Sequence, residues 1–438
     1  MGGGRKAALD ALERCRREGA WSDAALWRVF RDGALDPRDR ALAAALCYGV
    51  LQNRLLLDHR LQALSSRPLG RVEPKVLDIL RLSAFQLMLL DRIPASAAVN
   101  EGVALCRETG FARAAGYVNA VLRALAAAPW EGVPEGRDPE ALSVRYSHPL
   151  WLVQTLLDRL GPEETERLLR CHNSPAPLSI QVNTLKTDDE ALLSALEQAG
   201  IRARAHPFLP HCLLADRAGD FSRTRAFRDG WFYIQDPAAR FAVLAAAPLP
   251  GERVLDVCAA PGGKSFAAAI MAENRLALTA CDLHENKLSR LREGAERLGV
   301  CLETLAADGR DFRPDWENAF DLVIADVPCS GLGVIRKKPD IRYKDPEQFA
   351  GLTSVQTGIL RNVARYVRPG GRLLYSTCTL RREENEAVAG AFLAEREDFA
   401  GEDFTLPGDF ASRDGMLSLW PHRQDTDGFF IAKLRKRS

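Results

Sequence analysis

Two cysteines and four carboxylates in this chain are placed where they could do chemistry. Cys329 sits in Asp-Val-Pro-Cys-Ser-Gly (326–331) and Cys378 in Ser-Thr-Cys-Thr-Leu (376–380), each just after a short apolar run of the kind that forms a buried strand. Asp256, Asp282, Asp308 and Asp326 end or follow four such runs, at 253–257, 276–281, 302–307 and 321–325. The spacing of these runs predicts βα units and a parallel sheet with helices on both faces, in which ligands bind outside the carboxyl ends of the strands. In the doubly wound order, the first, fourth and fifth strands of this set are neighbours. Both thiols and any bound ligand would then face one crevice. A single cysteine is more often an inert core residue than a nucleophile, and it is this convergence that favours chemistry.

The turn Asp-Val-Cys-Ala-Ala-Pro-Gly-Gly-Lys-Ser (256–265) suggests a phosphate-binding loop from its last three residues only. A Walker A loop needs a glycine five residues before Gly263, and Cys258 stands there. Pro261 also removes a backbone N–H that a phosphate cradle would use. Four strand-end acids would repel a triphosphate. They suit S-adenosylmethionine, which carries a ribose diol, an adenine amine, an ammonium and a sulfonium. An acid after the second strand is placed to accept both ribose hydroxyls. Small residues at Ala259, Ala260, Gly262 and Gly263 let the backbone approach the methionine portion. Paired thiols beside a methyl donor suit alkylation of a weakly nucleophilic carbon such as pyrimidine C5. A thiolate adding at C6 makes C5 an enamine carbon, and elimination later restores the aromatic ring. An unperturbed thiol titrates near ~8.5, so only a few per cent is thiolate at pH 7 without help from its surroundings.

The elements that must position these groups divide the chain into three. Residues 1–130 carry apolar side chains at three- and four-residue spacing and predict an all-helical bundle. A Pro-, Gly- and acid-rich linker follows at 129–140, then a small α+β module at 141–235 and a βα-rich domain at 236–438. Within the module, His206, His211 and Cys212 are interrupted by Pro207 and Pro210, which reads as a loop; no metal site is expected. Residues 1–130 hold 19 Lys/Arg and 13 Asp/Glu, a net +6 in a chain of net charge +1, which suggests a polyanionic partner. Ten cysteines without Cys-x-x-Cys spacing read as reduced thiols, and neither a signal peptide nor a membrane span is read, so the cytoplasm is the expected compartment.

With these motifs in hand, the sequence resembles RNA cytosine-C5 methyltransferases of the NOL/Nop2/Sun family over essentially its whole length. The resemblance runs through Phe-Tyr-Ile-Gln-Asp-Pro-Ala-Ala (232–239), the 256–265 turn, Cys-Asp-Leu-His-Glu-Asn-Lys-Leu (281–288), Ala-Asp-Gly-Arg-Asp (307–311), 326–343, 373–386 and 427–434. It implies a Rossmann-like class I methyltransferase domain with a mixed, mostly parallel sheet, S-adenosylmethionine as cofactor and 16S rRNA as partner. Position by position, it implies that Cys378 is the nucleophile, that Cys329 assists product release, and that Asp326 meets the cytosine edge. Cys258, Ala259, Ala260, Pro261, Gly262, Gly263 and Lys264, with Asp282, Asp308 and Asp326, match the family's cofactor contacts. Val327 and Thr379 replace the more usual Ala and Ser without changing a reacting group. DNA cytosine-C5 methyltransferases use the Pro-Cys cysteine instead, typically in Pro-Cys-Gln; here Ser330 follows and a second cysteine is present.

Residues 114–125 resemble the helical RNA-binding domain of NusB, which favours a ribosomal over a transfer RNA substrate. Arg336, Lys337, Lys338, Arg342 and Lys344 cluster close after Cys329 and are expected to grip phosphates flanking the target base. Tyr343 could stack on a base or cover the core. Because C6 of a paired cytosine is out of reach, the substrate is expected to be rRNA before subunit assembly is complete. A monomer is the expected state. Competing readings are the same chemistry on tRNA, a catalytically silent rRNA-binding assembly factor, and a P-loop ATPase.

Overall fold

In the computed structural model, which describes residues 3–33, 35–216 and 221–438, the apolar spacing of the N-terminal third becomes the helices Gly3–Glu18, Ser22–Asp32, Pro37–Leu64, Pro74–Leu89, Ala95–Glu108 and Ala115–Ala127. Asp36 caps the third of these, accepting from Asp39 N at 2.8 Å with Pro37 at the first helical position. The inward stripes bury Leu9, Leu46, Leu57, Leu61, Ile79 and Leu122 completely. Each such side chain contributes roughly 1.5–3 kcal/mol of transfer free energy.

The chain forms two compact units, 1–174 with 335–344, and 175–334 with 345–438. This division cuts the expected 141–235 module at residue 174. Helices Pro139–Tyr146 and Leu150–His172 count with the first unit because their polar groups are satisfied there. Ser147 Oγ accepts from Leu56 N at 2.9 Å, and Gln52 Nε2 donates to His172 O at 3.3 Å. The second helix is two segments joined at Gly161, whose φ of 74° and following Pro162 interrupt the regular ladder.

The segment 335–344 also belongs to the first unit. Arg342 is fully buried, and its Nη1 lies within hydrogen-bonding distance of Gln52 O (3.0 Å), Ser147 O (3.2 Å) and Asn173 Oδ1 (2.9 Å). Burial pulls its pKa down to about 10. Arg342 therefore does not grip phosphate: its Nη1 is directed at carbonyl oxygens inside the helical unit. Tyr343 resolves the same way, donating to Ser147 O at 3.2 Å under the Arg54 guanidinium, which stacks 3.7 Å from its ring centroid. Lys338 pairs with Asp23 at 3.9 Å, and Lys344 lies 4.2 Å from the Trp21 ring centroid.

In the second unit, strands β1 (Leu178–Val182), β2 (Ala203–Ala205), β3 (Cys212–Ala215) and β4 (Phe232–Ile234) form an antiparallel sheet ordered β2-β3-β1-β4. Helix Asp189–Gln198 covers it through Leu192 and Leu196, against Ile180, Leu213 and Phe232. His206, His211 and Cys212 do not converge on a metal: His206 Nδ1 accepts from Leu209 N, His211 pairs with Asp189, and Cys212 is buried in β3. No group of residues that could hold a metal ion occurs among the described residues.

The larger sheet contains β5 (Arg253–Val257), β6 (Ala277–Asp282), β7 (Glu303–Ala306), β8 (Phe320–Asp326), β9 (Val367–Thr377) and β10 (Phe399–Gly401). A two-stranded ribbon, β11 (Thr405–Leu406) and β12 (Phe410–Ala411), precedes β13 (Met416–Leu419) and β14 (Phe429–Lys436). The order is β10-β14-β9-β8-β5-β6-β7, with β13 also paired to β14. Strands β5 to β9 are mutually parallel, whereas β14 runs antiparallel to β9, so the sheet is mixed and mostly parallel as the sequence implied. Alternate residues feed opposite cores. Val254, Leu322, Ile324 and Leu374 pack on one face, and Leu255, Val323, Leu373 and Tyr375 on the other. Burial on both sides is why these strands read as continuous apolar runs. No helix among the described residues is long and apolar enough to cross a membrane.

Candidate active site

The carboxyl ends of β5, β6, β8 and β9 carry the functional groups, and register fixes their spacing: Val257 pairs with Cys281 and Ala325, and Asp326 pairs with Ser376. After β5 the chain turns at Cys258 (φ 64°), passes a cis Ala260–Pro261 bond, and reaches Gly262 (φ 110°) before helix Gly263–Met271. Gly262 needs the left-handed region that glycine adopts without strain. At Gly263, a Cβ would lie 2.6 Å from Gln235 Nε2, so a larger residue there would displace the Gln235 amide. Burial pushes the Cys258 thiol up to about 12, leaving its backbone rather than its sulfur as the useful part.

Asp282, at the end of β6, is buried and accepts from His284 N at 3.1 Å and Ala260 N at 3.3 Å. Leu283 beside it is 56% exposed, an apolar side chain next to a fixed carboxylate. Asp308, beyond β7, is held by Arg310 at 2.6 Å, which keeps its carboxyl below the usual range. A fixed acid, an uncovered apolar side chain and a glycine-lined turn fit the diol, base and amino-acid portions of S-adenosylmethionine. The four acids do not share one role, however. Asp256 is fully buried and accepts from Ser265 Oγ at 2.5 Å, tying the turn to the following helix. Burial raises its pKa from 3.8 to about 7. Between these two values the folded chain keeps a proton that the unfolded chain loses, so Asp256 lowers stability increasingly as pH rises through this window, and by a constant amount above it. Asp256→Asn is therefore expected to gain thermal stability over wild type as pH is raised from about 5 to 8, read from melting curves. A difference that does not change with pH would refute this.

Asp326 ends β8 with both carboxylate oxygens engaged. Lys264 Nζ donates at 2.6 Å and Ser376 Oγ at 2.8 Å. Lys264 also lies 5.2 Å from the Phe429 ring centroid. The two thiols meet beside this group, with Cys329 Sγ 3.3 Å from Cys378 Sγ. Its contact with Cys378, together with burial, pushes the Cys329 thiol well above its ordinary range. Sequence reasoning missed the residues that support these loops, Gln356, Glu384 and Asn385, although Glu384 and Asn385 fall inside a stretch singled out for its resemblance. It also gave Phe-Tyr-Ile-Gln-Asp-Pro no structural role. Asp236 caps helix Pro237–Ala246 and accepts from Asp427 N at 3.0 Å, joining 232–239 to the 427–434 stretch.

Residues 243–435 match the family described as 16S rRNA methyltransferase RsmB/F, residues 4–127 match the NusB family, and residues 148–222 match the ferredoxin-like domain of RsmF/B-like methyltransferases. A probable ribosomal RNA small subunit methyltransferase B from Bacillus subtilis is 38% identical, covering 99% of this chain and 98% of its own. The chain belongs to the RsmB/F family of 16S rRNA methyltransferases. A ribosomal RNA small subunit methyltransferase B from Vibrio cholerae is 35% identical over 92% of this chain and 90% of its own length. The crystal structure of PH0851 is similar throughout, with a TM-score of 0.82 and 27% identity, covering 99% of this chain and 98% of that one. A methyltransferase homologue from Pyrococcus horikoshii matches 69% of this chain and 100% of its own, with a TM-score of 0.59 and 27% identity. As an RsmB/F protein, this chain is an S-adenosylmethionine-dependent rRNA methyltransferase, and the carboxyl ends of β5 to β9 are its candidate active site.

Proposed function

We propose that the enzyme methylates C5 of one cytosine in 16S rRNA, the position numbered 967 in usual rRNA numbering, through a covalent bond between Cys378 and C6. The observation that carries this reading is the pair of sulfurs 3.3 Å apart beside a carboxylate pinned on both oxygens. Bound S-adenosylmethionine supplies an electrophilic methyl group. The chain's residues prepare the acceptor. The Cys378 thiolate adds to C6, the C5–C6 π pair shifts to C4–C5 as the C4–N3 pair moves onto N3, and the resulting enamine carbon C5 takes the methyl, the bonding pair staying on the departing sulfur. After methylation a base removes the C5 proton, those electrons re-form the C5–C6 double bond, and the C6–S bond breaks.

Asp326 is assigned to the cytosine N3 and 4-amino edge. Lys264 and Ser376 fix its plane, which orients it toward that edge. The upward push on Cys329 supports its role as the thiol that keeps a proton beside Cys378, ready for product release. Arg336, Lys337 and Lys338 are the basic residues assigned to flanking phosphates. The substrate is 16S rRNA not yet assembled into a finished subunit, where the base can leave its stack.

Bisulfite sequencing of 16S rRNA incubated with the enzyme and S-adenosylmethionine tests the proposal. One cytosine should resist conversion, more completely on naked rRNA than on finished subunits. Methylation confined to tRNA, or equal on the two rRNA substrates, would overturn it.

A further inference from the structure

The two thiol loops are built alike, and each is held by groups that touch the residues on either side of its cysteine. Around Cys329, Gln356 Nε2 donates to Pro328 O at 2.9 Å and to Glu384 Oε2 at 3.0 Å. That same Glu384 oxygen accepts from Ser330 N at 2.9 Å. Around Cys378, the Asn385 amide accepts from Thr377 Oγ1 at 2.5 Å and donates to Thr379 O at 2.9 Å. Gln356, Glu384, Thr377 and Thr379 are fully buried, and Asn385 is nearly so. One further bond ties the loops together, Ser330 Oγ to Thr379 Oγ1 at 2.7 Å. A buried carboxylate and two buried amides are costly in a core unless hydrogen-bonded, and here their bonds go to the residues that flank the two thiols.

We infer that Gln356 with Glu384, and Asn385 alone, are positioning residues that set the two thiols independently, the first pair for Cys329 and Asn385 for Cys378. This rests on the reading of Cys378 as attacker and Cys329 as release group, and it adds that the two steps can be impaired separately. Glu384 and Asn385 are consecutive, so the short turn Arg382–Glu384 and its capping residue Asn385 together deliver a side chain to each loop. Neither residue reaches the reacting atoms. Glu384 with Gln356 holds the peptide groups of Ser330 and Pro328, and Asn385 holds the Thr377 hydroxyl and the Thr379 carbonyl, so each set fixes the residues flanking one sulfur and the direction in which it points.

The test uses the full chain with Gln356→Met, which keeps the side-chain volume but loses both donor bonds, and Asn385→Asp, which keeps the acceptor but loses the donor to Thr379 O. Peptide-resolved iodoacetamide labelling, which needs no substrate, reads each thiol separately. Gln356→Met should change Cys329 labelling by about fivefold or more with Cys378 nearly unchanged, and Asn385→Asp should do the reverse, as loss of two orienting hydrogen bonds in the first variant and one in the second implies. In single turnover on 16S rRNA, Asn385→Asp should slow adduct formation about tenfold, while Gln356→Met should let adduct accumulate. Affinity for S-adenosylmethionine should be unchanged in both. If Asn385→Asp does not fold, Thr377→Val, which removes only the 2.5 Å bond, carries the same expectation. Equal changes at both thiols, or none at either, would overturn the inference. A wild-type enzyme that methylates without any adduct would overturn the covalent reading instead, and the labelling result would still decide the positioning roles.

Discussion

Cys378→Ala is expected to lose methyl transfer by about four orders of magnitude or more and to form no covalent complex with RNA, the scale seen when a nucleophile that works with its partners as a unit is removed. Cys329→Ala is expected to behave in the opposite sense. It should form the covalent complex and hold it, visible as an RNA-shifted protein band that survives denaturation. The two sulfurs are 3.3 Å apart, so position alone does not separate them; their surroundings do. Cys329 lies in the loop held by Gln356 and Glu384, and the neighbouring sulfur together with burial pushes its thiol well above the ordinary range. Cys378 follows β9, directly after Ser376 and Thr377, and Ser376 holds Asp326. Asp326 and Cys378 thus stand at the ends of two neighbouring strands, β8 and β9, linked through Ser376. If Cys329→Ala abolished the adduct and Cys378→Ala trapped it, the roles would be exchanged and the chemistry would be of the DNA-enzyme type.

Arg342→Met is expected to destabilise the helical unit by about 3 kcal/mol, because the backbone oxygens of Gln52 and Ser147 and the Asn173 amide oxygen lose a buried donor together. A single melting temperature does not describe a chain of two units, so the measurement is native-state hydrogen exchange followed separately in 1–174 and in the larger sheet. Protection should fall in the first and stay level in the second. Unchanged protection in the helices would show that the buried guanidinium contributes nothing net. If Arg342 instead served RNA, its loss would leave exchange intact and weaken binding.

The sheet was legible because its strands are buried on both faces and announce themselves as apolar runs. The stretch 253–257 is a strand to the residue, and 321–325 and 372–376 lie within β8 and β9. The candidate site was legible for the same reason, since each strand end carries an acid or a thiol. Buried polar residues were the blind spot. Gln356, Glu384 and Arg342 have the composition of a surface, and no periodicity distinguishes a guanidinium aimed at inner carbonyls from one aimed at phosphate. Asp256 misled in the other direction: it has the position of a ligand contact and the surroundings of a core residue. The division at residue 174 was not legible because helical spacing records that a face is buried, not which partner buries it. Leu56 N meeting Ser147 Oγ is invisible to any local window.

The discontinuity of the helical unit also has a bearing on synthesis. Its first 174 residues leave the ribosome long before the segment 335–344 that carries Arg342. At roughly 5–20 residues per second, the delay is on the order of ten to thirty seconds. Throughout that interval the oxygens of Gln52, Ser147 and Asn173 await their donor, and the newborn helices are a scaffold with an open slot. The strands β5 to β8 are translated within the same interval, so the two units mature by interleaving rather than in succession. A fragment ending at residue 174 would stay at that unfinished stage, whereas one extended to residue 344 carries the donor but stops short of β9 and Cys378.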